Sequence, residues 1–427
     1  MDAFRVLSKK MFPMLRFLMI SFAALTLSLT SIVAQDKPHA HAGKPPASRP
    51  SVSSSVVPSS LVLPLSVSLP IPGAVPAPTI AASSYLLLDM ASNQVLLSAD
   101  ADVAREPASL TKLMTAYLAF SALRDKTIQF DQKVSISEHA RSAIGSRMFA
   151  DPRVQVSVDD LLHGMIIQSG NDASVALAEL IAGDETAFAA MMNTQAQKMG
   201  MTKTHFVNST GLPDTQHYST AADLAKLAAA LIRDFPEYYP LYSQKEYRYN
   251  NITQKNRNLL LTMDPYVDGV KTGYTDNAGW CLIASAKRGE RRMLSVVLGA
   301  TSDTARASEN QKLLNWGYQA FDVVQLYPAG QPVSKLPVWK GSAPEVAAGF
   351  LEDRYLSVPK GQGDKLQVKL VAQEPLTAPI GKGQNVGTIQ VQFGGARVAE
   401  FPLVAQEEVA IGSWWRRSWD AVRLWFK

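Results

Sequence analysis

The chain has 427 residues, 47% hydrophobic and 19% charged, with a net charge of +5. That length gives room for two or three domains with proper cores, while the modest charge and the lack of a basic-aromatic module argue against nucleic acid as a partner. The lone Cys281 excludes an internal disulfide and reads as a buried, inert thiol, and without a His/Cys cluster or a glycine-rich phosphate loop neither a metal nor a nucleotide cofactor is expected.

Residues 1–34 read as an export signal: Arg5, Lys9, Lys10 and Arg16 precede an apolar run that ends at Ser31-Ile32-Val33-Ala34. Cleavage after Ala34 fits, with Ile32 an imperfect −3 residue; an uncleaved membrane anchor is the alternative. Residues 35–79 carry ten of the 25 prolines and read as a linker, because proline denies both helix and ladder their donors. Order begins near Ser84, where Tyr85–Asp89 and Val95–Ser98 flank Ala91-Ser92-Asn93 as a hairpin.

A helix follows, with Leu110, Leu113, Met114, Tyr117 and Leu118 on one apolar face. Ser157, with Asp159 and Asp160 behind it, predicts an N-cap for a helix that runs out at Gln168. A second helix starts at Asp172, so Ser169-Gly170-Asn171 is expected to be exposed on a tight loop. Helices over Glu185–Met199 and Thr220–Asp234, the latter capped by Ser219, complete a helical middle. Strands over Val270–Tyr274, Trp280–Ala286 and Met293–Leu298 follow, the last two joined through Arg288-Gly289-Glu290-Arg291. A helix over Thr304–Phe321 closes an α+β domain, an antiparallel sheet with helices on its faces, over residues 80–332. Residues 333–408 alternate as a small β-sandwich domain.

Residues 409–427 hold four of the seven tryptophans. At 100° per residue Arg416, Asp420, Arg423 and Lys427 form a polar stripe facing Trp415, Trp419, Val422 and Phe426. That pattern suits a helix lying in an anionic membrane surface, more than one docked on its own β domain.

Three motifs occur in order: Ser109-Leu110-Thr111-Lys112, Ser169-Gly170-Asn171 and Lys271-Thr272-Gly273. On a helix Ser109 and Lys112 point the same way, so an ammonium that loses its proton sits beside a hydroxyl that must lose one. Each motif alone is weak. A decoy, Ser308-Glu309-Asn310, comes after Lys-Thr-Gly and at a helix start. Together, in order and on helix, loop and strand, the three resemble the serine DD-peptidases of the penicillin-binding and β-lactamase-like fold.

Beyond the motifs, residues from about Ser84 onward, including Asn256-Arg257-Asn258 and Lys312–Gly317, are similar to the low-molecular-mass penicillin-binding proteins that act as D-alanyl-D-alanine carboxypeptidases. The resemblance implies a substrate, the peptidoglycan stem peptide ending in D-Ala-D-Ala, and inhibition by β-lactams. It casts Ser109 as nucleophile, Lys112 as base, Ser169 as proton relay and Asn171 as holder of Lys112 and of the substrate amide. Lys271, Thr272 and Gly273 line the substrate, Thr272 and Arg306 meet its carboxylate, and the N–H groups of Ser109 and Tyr274 form the oxyanion hole. Tyr274 departs from the family, where histidine is frequent. It also implies a location at the periplasmic face of the inner membrane. DD-endopeptidase or transpeptidase activity uses the same acyl-enzyme and stays open as an alternative; a non-catalytic wall-binding protein would be expected to lack these side chains. A class A β-lactamase is disfavoured because no Glu-x-x-Leu-Asn follows Ser-Gly-Asn. A Ser-His-Asp triad with His139, His163, His205 or His217 lacks a Gly-x-Ser-x-Gly elbow.

Overall fold

A computed structural model describes residues 75–425. The expected export signal and nearly all of the proline-rich linker lie outside the described residues.

The first lobe is built on a five-stranded antiparallel sheet in the order Gln94–Ala99, Ser84–Asp89, Arg291–Ala300, Gly279–Arg288, Val267–Thr275. Its inner strands are buried on both faces, and the side chains alternate between two cores as a pleat requires. Leu86, Leu88, Leu294, Val296, Leu298 and Ile283 pack into the helical body. Their neighbours Leu87, Met293, Val297, Leu282 and Ala284 pack beneath the helix Asp303–Ala320, against Leu313, Leu314 and Trp316. The strand carrying Lys-Thr-Gly is left at an edge of the sheet, where its outer backbone groups are open to a ligand.

The serine-lysine segment is a 3₁₀ turn, Ala108–Thr111, running into the helix Lys112–Arg124. The sequence pattern suggests one apolar face, yet all of that helix is buried except Ser121 and Arg124. It threads between the sheet and the surrounding helices, so small residues such as Ala116 and Ala119 pack on its second side. Ser157 caps the helix Val158–Ile167 by accepting from Asp160 N–H, as its sequence predicts. Thr220, not Ser219, caps Ala221–Asp234, because the Ser219 hydroxyl pairs with that of Thr204 at 2.8 Å.

The second lobe begins at Phe321, ahead of the Pro332–Pro337 stretch where the sequence suggests a change. Phe321–Tyr327 pairs with Arg354–Pro359 as a ribbon. The ribbon packs Leu356 and Val358 with the Val346, Ile389 and Phe401 core of a second five-stranded antiparallel sheet. Ser357 joins the lobes, its hydroxyl 2.8 Å from that of Ser92 and its N–H donating to Gln94 Oε1 at 2.6 Å.

The terminal helix spans Trp414–Trp425. Its polar stripe faces inward: the buried Asp420 carboxylate accepts Lys340 N–H at 2.7 Å, Arg416 donates to Ser342 O at 3.4 Å, and Arg423 lies 5.6 Å from the Trp339 ring centre. The apolar side, with Trp415, Trp419 and Val422, is more than half exposed. Among the described residues no helix is long and apolar enough to cross a membrane.

Candidate active site

The three motifs converge on one cleft of about 390 Å³, lined by Ser109, Ser169, Asn171, Thr272, Gly273 and Tyr274 among others. Lys112 Nζ lies 2.9 Å from Ser109 Oγ and donates to the Thr210 carbonyl at 2.6 Å. Lys271 Nζ lies 2.9 Å from Ser169 Oγ and 3.0 Å from Thr272 O. The cleft thus holds two hydroxyl–amine pairs. No histidine appears among the hydrogen-bond partners of Ser109 in the described residues; the buried His217 instead contacts Thr111 Oγ1 at 2.8 Å.

Burial lowers the Lys112 pKa from 10.5 to about 7, against the opposing pull of the Asp172 carboxylate. Lys271 is held well below its ordinary value, first by burial and then by the charges of Lys112, Arg257 and Arg306. Both ammonium groups therefore give up a proton more readily than an exposed lysine does. Cys281, behind Gly273 in the ladder, is buried with its thiol pushed up to about 11, which suits an unreactive side chain.

Ser169 and Asn171 are buried, at 3% and 4% exposure, where the sequence predicts an exposed loop. The cause is a cover formed by the segment at residues 144–150. Asp172 takes the N–H groups of Met148 (2.9 Å) and Ala150 (3.1 Å), and Asn171 N–H meets Ser146 O at 2.7 Å. The Asn171 side chain donates to Ile144 O at 2.5 Å and leaves its own Oδ1 buried without a partner among the described residues. Among the described residues Lys112 bonds to Ser109 Oγ and the Thr210 carbonyl, not to Asn171. Two residues of the site stand in the left-handed region, Ala108 (φ 48°) just before the nucleophile and Ser169 (φ 66°). Such backbone costs roughly 1–3 kcal/mol and persists where the surroundings over-determine it.

Arg306 is not at the surface: it is 4% exposed, donates to Gly273 O at 3.0 Å, pairs with Asp303, and sits 5.0 Å from the Trp280 ring centre. The Tyr274 ring stacks obliquely on Trp280 at 4.4 Å, with its hydroxyl on Asp276 at 2.9 Å. Gly273 brings the edge strand hard against the nucleophile; a Cβ there would lie 3.1 Å from Pro107 O and 3.3 Å from Ser109 N.

Sequence reasoning gave no role to Arg257, Asp172 or the Asn208–Gly211 loop. Arg257 lines the cleft and donates to Gln168 O at 3.1 Å. Asn208 Oδ1 gathers Thr210 N–H (3.2 Å), the Thr210 hydroxyl (3.1 Å) and Gly211 N–H (2.7 Å), folding a turn that aims the Thr210 carbonyl at Lys112. The Asn-x-x-Gly spacing was a visible turn signal, but its target was not. Gly211 (φ +83°) lies so close to Ala108 that a Cβ would fall 1.8 Å from that carbonyl oxygen. Gly211→Ala is expected to cost roughly 3–5 kcal/mol from left-handed strain and overpacking. It should also slow penicillin acylation by about 10²-fold through misplacement of Lys112. Thermal unfolding and stopped-flow labelling measure the two effects; a variant as stable and as fast as the wild type would show that the contact yields easily.

Comparison with known proteins agrees with this geometry. Residues 72–302 match the family model described as D-alanyl-D-alanine carboxypeptidase, and residues 321–410 match that of the penicillin-binding protein 5 C-terminal domain. The chain is 42% identical over 357 residues to the D-alanyl-D-alanine carboxypeptidase DacC of Escherichia coli, covering 82% of this chain and 89% of that one. DacA of the same organism is 39% identical with the same coverage. Penicillin-binding protein 5 of Haemophilus influenzae superposes with a TM-score of 0.76 at 38% identity, over 79% of this chain and 99% of that one. The chain belongs to the D-alanyl-D-alanine carboxypeptidase family. Its activity is that of a serine-type DD-carboxypeptidase with a penicillin-binding fold.

Proposed function

We propose that the chain removes the terminal D-alanine of peptidoglycan stem pentapeptides through an acyl-enzyme on Ser109. Neutral Lys112 takes the hydroxyl proton as Ser109 Oγ attacks the carbonyl between the two D-alanines. The C–N bond then breaks, the proton passes to the departing amine through Ser169, and D-alanine leaves. Water, activated by the same amine, hydrolyses the ester. Lys271 keeps the Ser169 hydroxyl oriented and adds positive field where the substrate carboxylate arrives. Thr272, Arg306 and the more exposed Arg257 supply that carboxylate's donors, with Arg306 also fixing the Gly273 carbonyl. The unpaired Asn171 Oδ1 suits a substrate amide N–H, and the N–H groups of Ser109 and Tyr274 suit the oxyanion.

The observation that carries this reading is a buried lysine, with a pKa near 7, 2.9 Å from the hydroxyl it must deprotonate. The test is D-alanine release from a pentapeptide ending in Lys-D-Ala-D-Ala. Release by the wild type supports the reading, and penicillin binding without release would move it to endopeptidase or transpeptidase. A relative from Listeria monocytogenes, penicillin-binding protein D2, has been solved in an ampicillin-bound form at 32% identity. We infer from it that β-lactams enter the same cleft here.

We further infer that the protein works outside the cytoplasm, held to the inner membrane by its terminal helix. The N-terminal signal pattern and the outward indole face support this. Wild-type protein should sediment with vesicles of phosphatidylglycerol and phosphatidylethanolamine. The pair Trp415→Ser and Trp419→Ser should weaken that binding at least about tenfold, since each indole contributes buried apolar area. Equal sedimentation of wild type and variant would rule the tail out as anchor.

A further inference from the structure

We propose that a second cavity beside the nucleophile binds the side-chain ammonium of a diamino acid in the stem peptide, through the carboxylate of Glu185. The proposal rests on the carboxypeptidase reading and adds to it the feature that selects the peptide.

The cavity holds about 240 Å³ and shares two wall residues, Thr210 and Leu212, with the active-site cleft. Ile144 and Val175 give it apolar flanks suited to a methylene stem; among the described residues Glu185 is the one carboxylate in its lining, which has no lysine or arginine. Glu185 is fixed rather than loose. Its Oε1 accepts the Ser209 N–H at 2.8 Å and the Ser209 hydroxyl at 2.6 Å, and its side chain is 19% exposed. Among the described residues Oε2 meets only the His139 ring, at 3.1 Å. A carboxylate oxygen has two lone pairs, so Oε2 retains an acceptor site. His139 is 61% exposed and can swing aside without unpacking a core.

Glu185 is one residue-to-residue step from the chemistry: it holds Ser209, and the next residue, Thr210, presents the carbonyl that holds Lys112. The adjoining cleft itself gathers Arg257 and Arg306. Two guanidinium groups in the cleft and a carboxylate in the adjoining cavity give the site two poles, and the proposal seats the terminal carboxylate at the first and the residue before the two D-alanines at the second. A stem peptide has the complementary pattern, a carboxylate at its end and an amine on the side chain preceding the two D-alanines. Neutralising that amine leaves a half-buried carboxylate without its charge-assisted partner.

The test compares D-alanine release from Nα-acetyl-Lys-D-Ala-D-Ala and from the same peptide with its ε-amine also acetylated. Wild type should favour the free amine by roughly tenfold in kcat/KM, the size of one charge-assisted hydrogen bond. Glu185→Gln should bring the ratio near one. Because Glu185 also acts on the charge of Lys112, the ratio at one pH is read, not the absolute rate. Ser142→Lys, on the exposed rim, should lower the ratio likewise by placing a tethered ammonium in the cavity, and it disturbs no buried contact. Equal cleavage of the two peptides by wild type, or a preference that survives both substitutions, overturns the proposal. Release from neither peptide by wild type overturns the carboxypeptidase reading itself, and this inference with it.

Discussion

Ser109→Ala is expected to release no measurable D-alanine and to take no label from a fluorescent penicillin. Removal of the nucleophile in a serine peptidase costs on the order of 10⁶-fold in kcat, because the acyl bond has no other atom to form on. The fold should survive. Ser109 is half-buried, and its loss leaves Lys112 bonded to Thr210 O at 2.6 Å, so the stability change should stay within about 1–2 kcal/mol. Gel labelling at several penicillin concentrations and D-alanine release assayed together check the result. A variant that still labels would place the nucleophile on another residue, and Ser169 would be the first to examine.

Lys112→Met should lower acylation by roughly 10³-fold, within the range general-base catalysis supplies. In the wild type the acylation rate should rise as pH passes through about 7, since the neutral amine is the working form. The apparent midpoint belongs to Lys112 and Lys271 jointly, because the charge of Lys112 depresses the protonation of Lys271. The methionine variant should lose this limb. Stability moves in the same direction with pH. The folded-state value of Lys112 lies below its unfolded 10.5, so between about pH 7 and 10.5 the unfolded chain holds more protons and folding gains as pH rises. Below pH 7 the cost of burying the ammonium is complete. The advantage of Lys112→Met over wild type in urea unfolding should therefore be larger at pH 6 than at pH 9, by roughly 2–3 kcal/mol. A pH-independent difference would mean that Lys112 titrates in the fold as it does in the unfolded chain.

Much of this site was legible because its parts announce themselves locally. The Ser-x-x-Lys spacing, the Ser157 cap and the Gly289 hairpin each follow from neighbours within four residues, and all three recur in the structure. What stayed hidden depends on segments far apart in the chain. The burial of Ser-Gly-Asn comes from a segment that Asp172 draws over it, across more than twenty residues of sequence. The Thr210 carbonyl reaches Lys112 across 98 residues, and nothing in an Asn-Ser-Thr-Gly turn names its target. Arg306 takes its role only through the family resemblance; its burial comes from the sheet beside its helix, which a helix-start position does not reveal. The left-handed backbone at Ala108 and Ser169 is equally silent in sequence, since neither residue type favours it.

The inward-facing polar stripe of the terminal helix has a thermodynamic consequence. Amphipathic tails that fold only on meeting their surface spend about 2–5 kcal/mol of the gross attraction on ordering. Here Asp420 and Arg416 already tie the helix to the strand-end loop at residues 339–342. The cost is met within the protein, so the indoles arrive as a preset array with a fixed bearing. On the anchoring proposed above, attachment would constrain yaw and tilt as well as position, and the catalytic cleft would patrol a shell of the wall at one altitude instead of swinging on a tether.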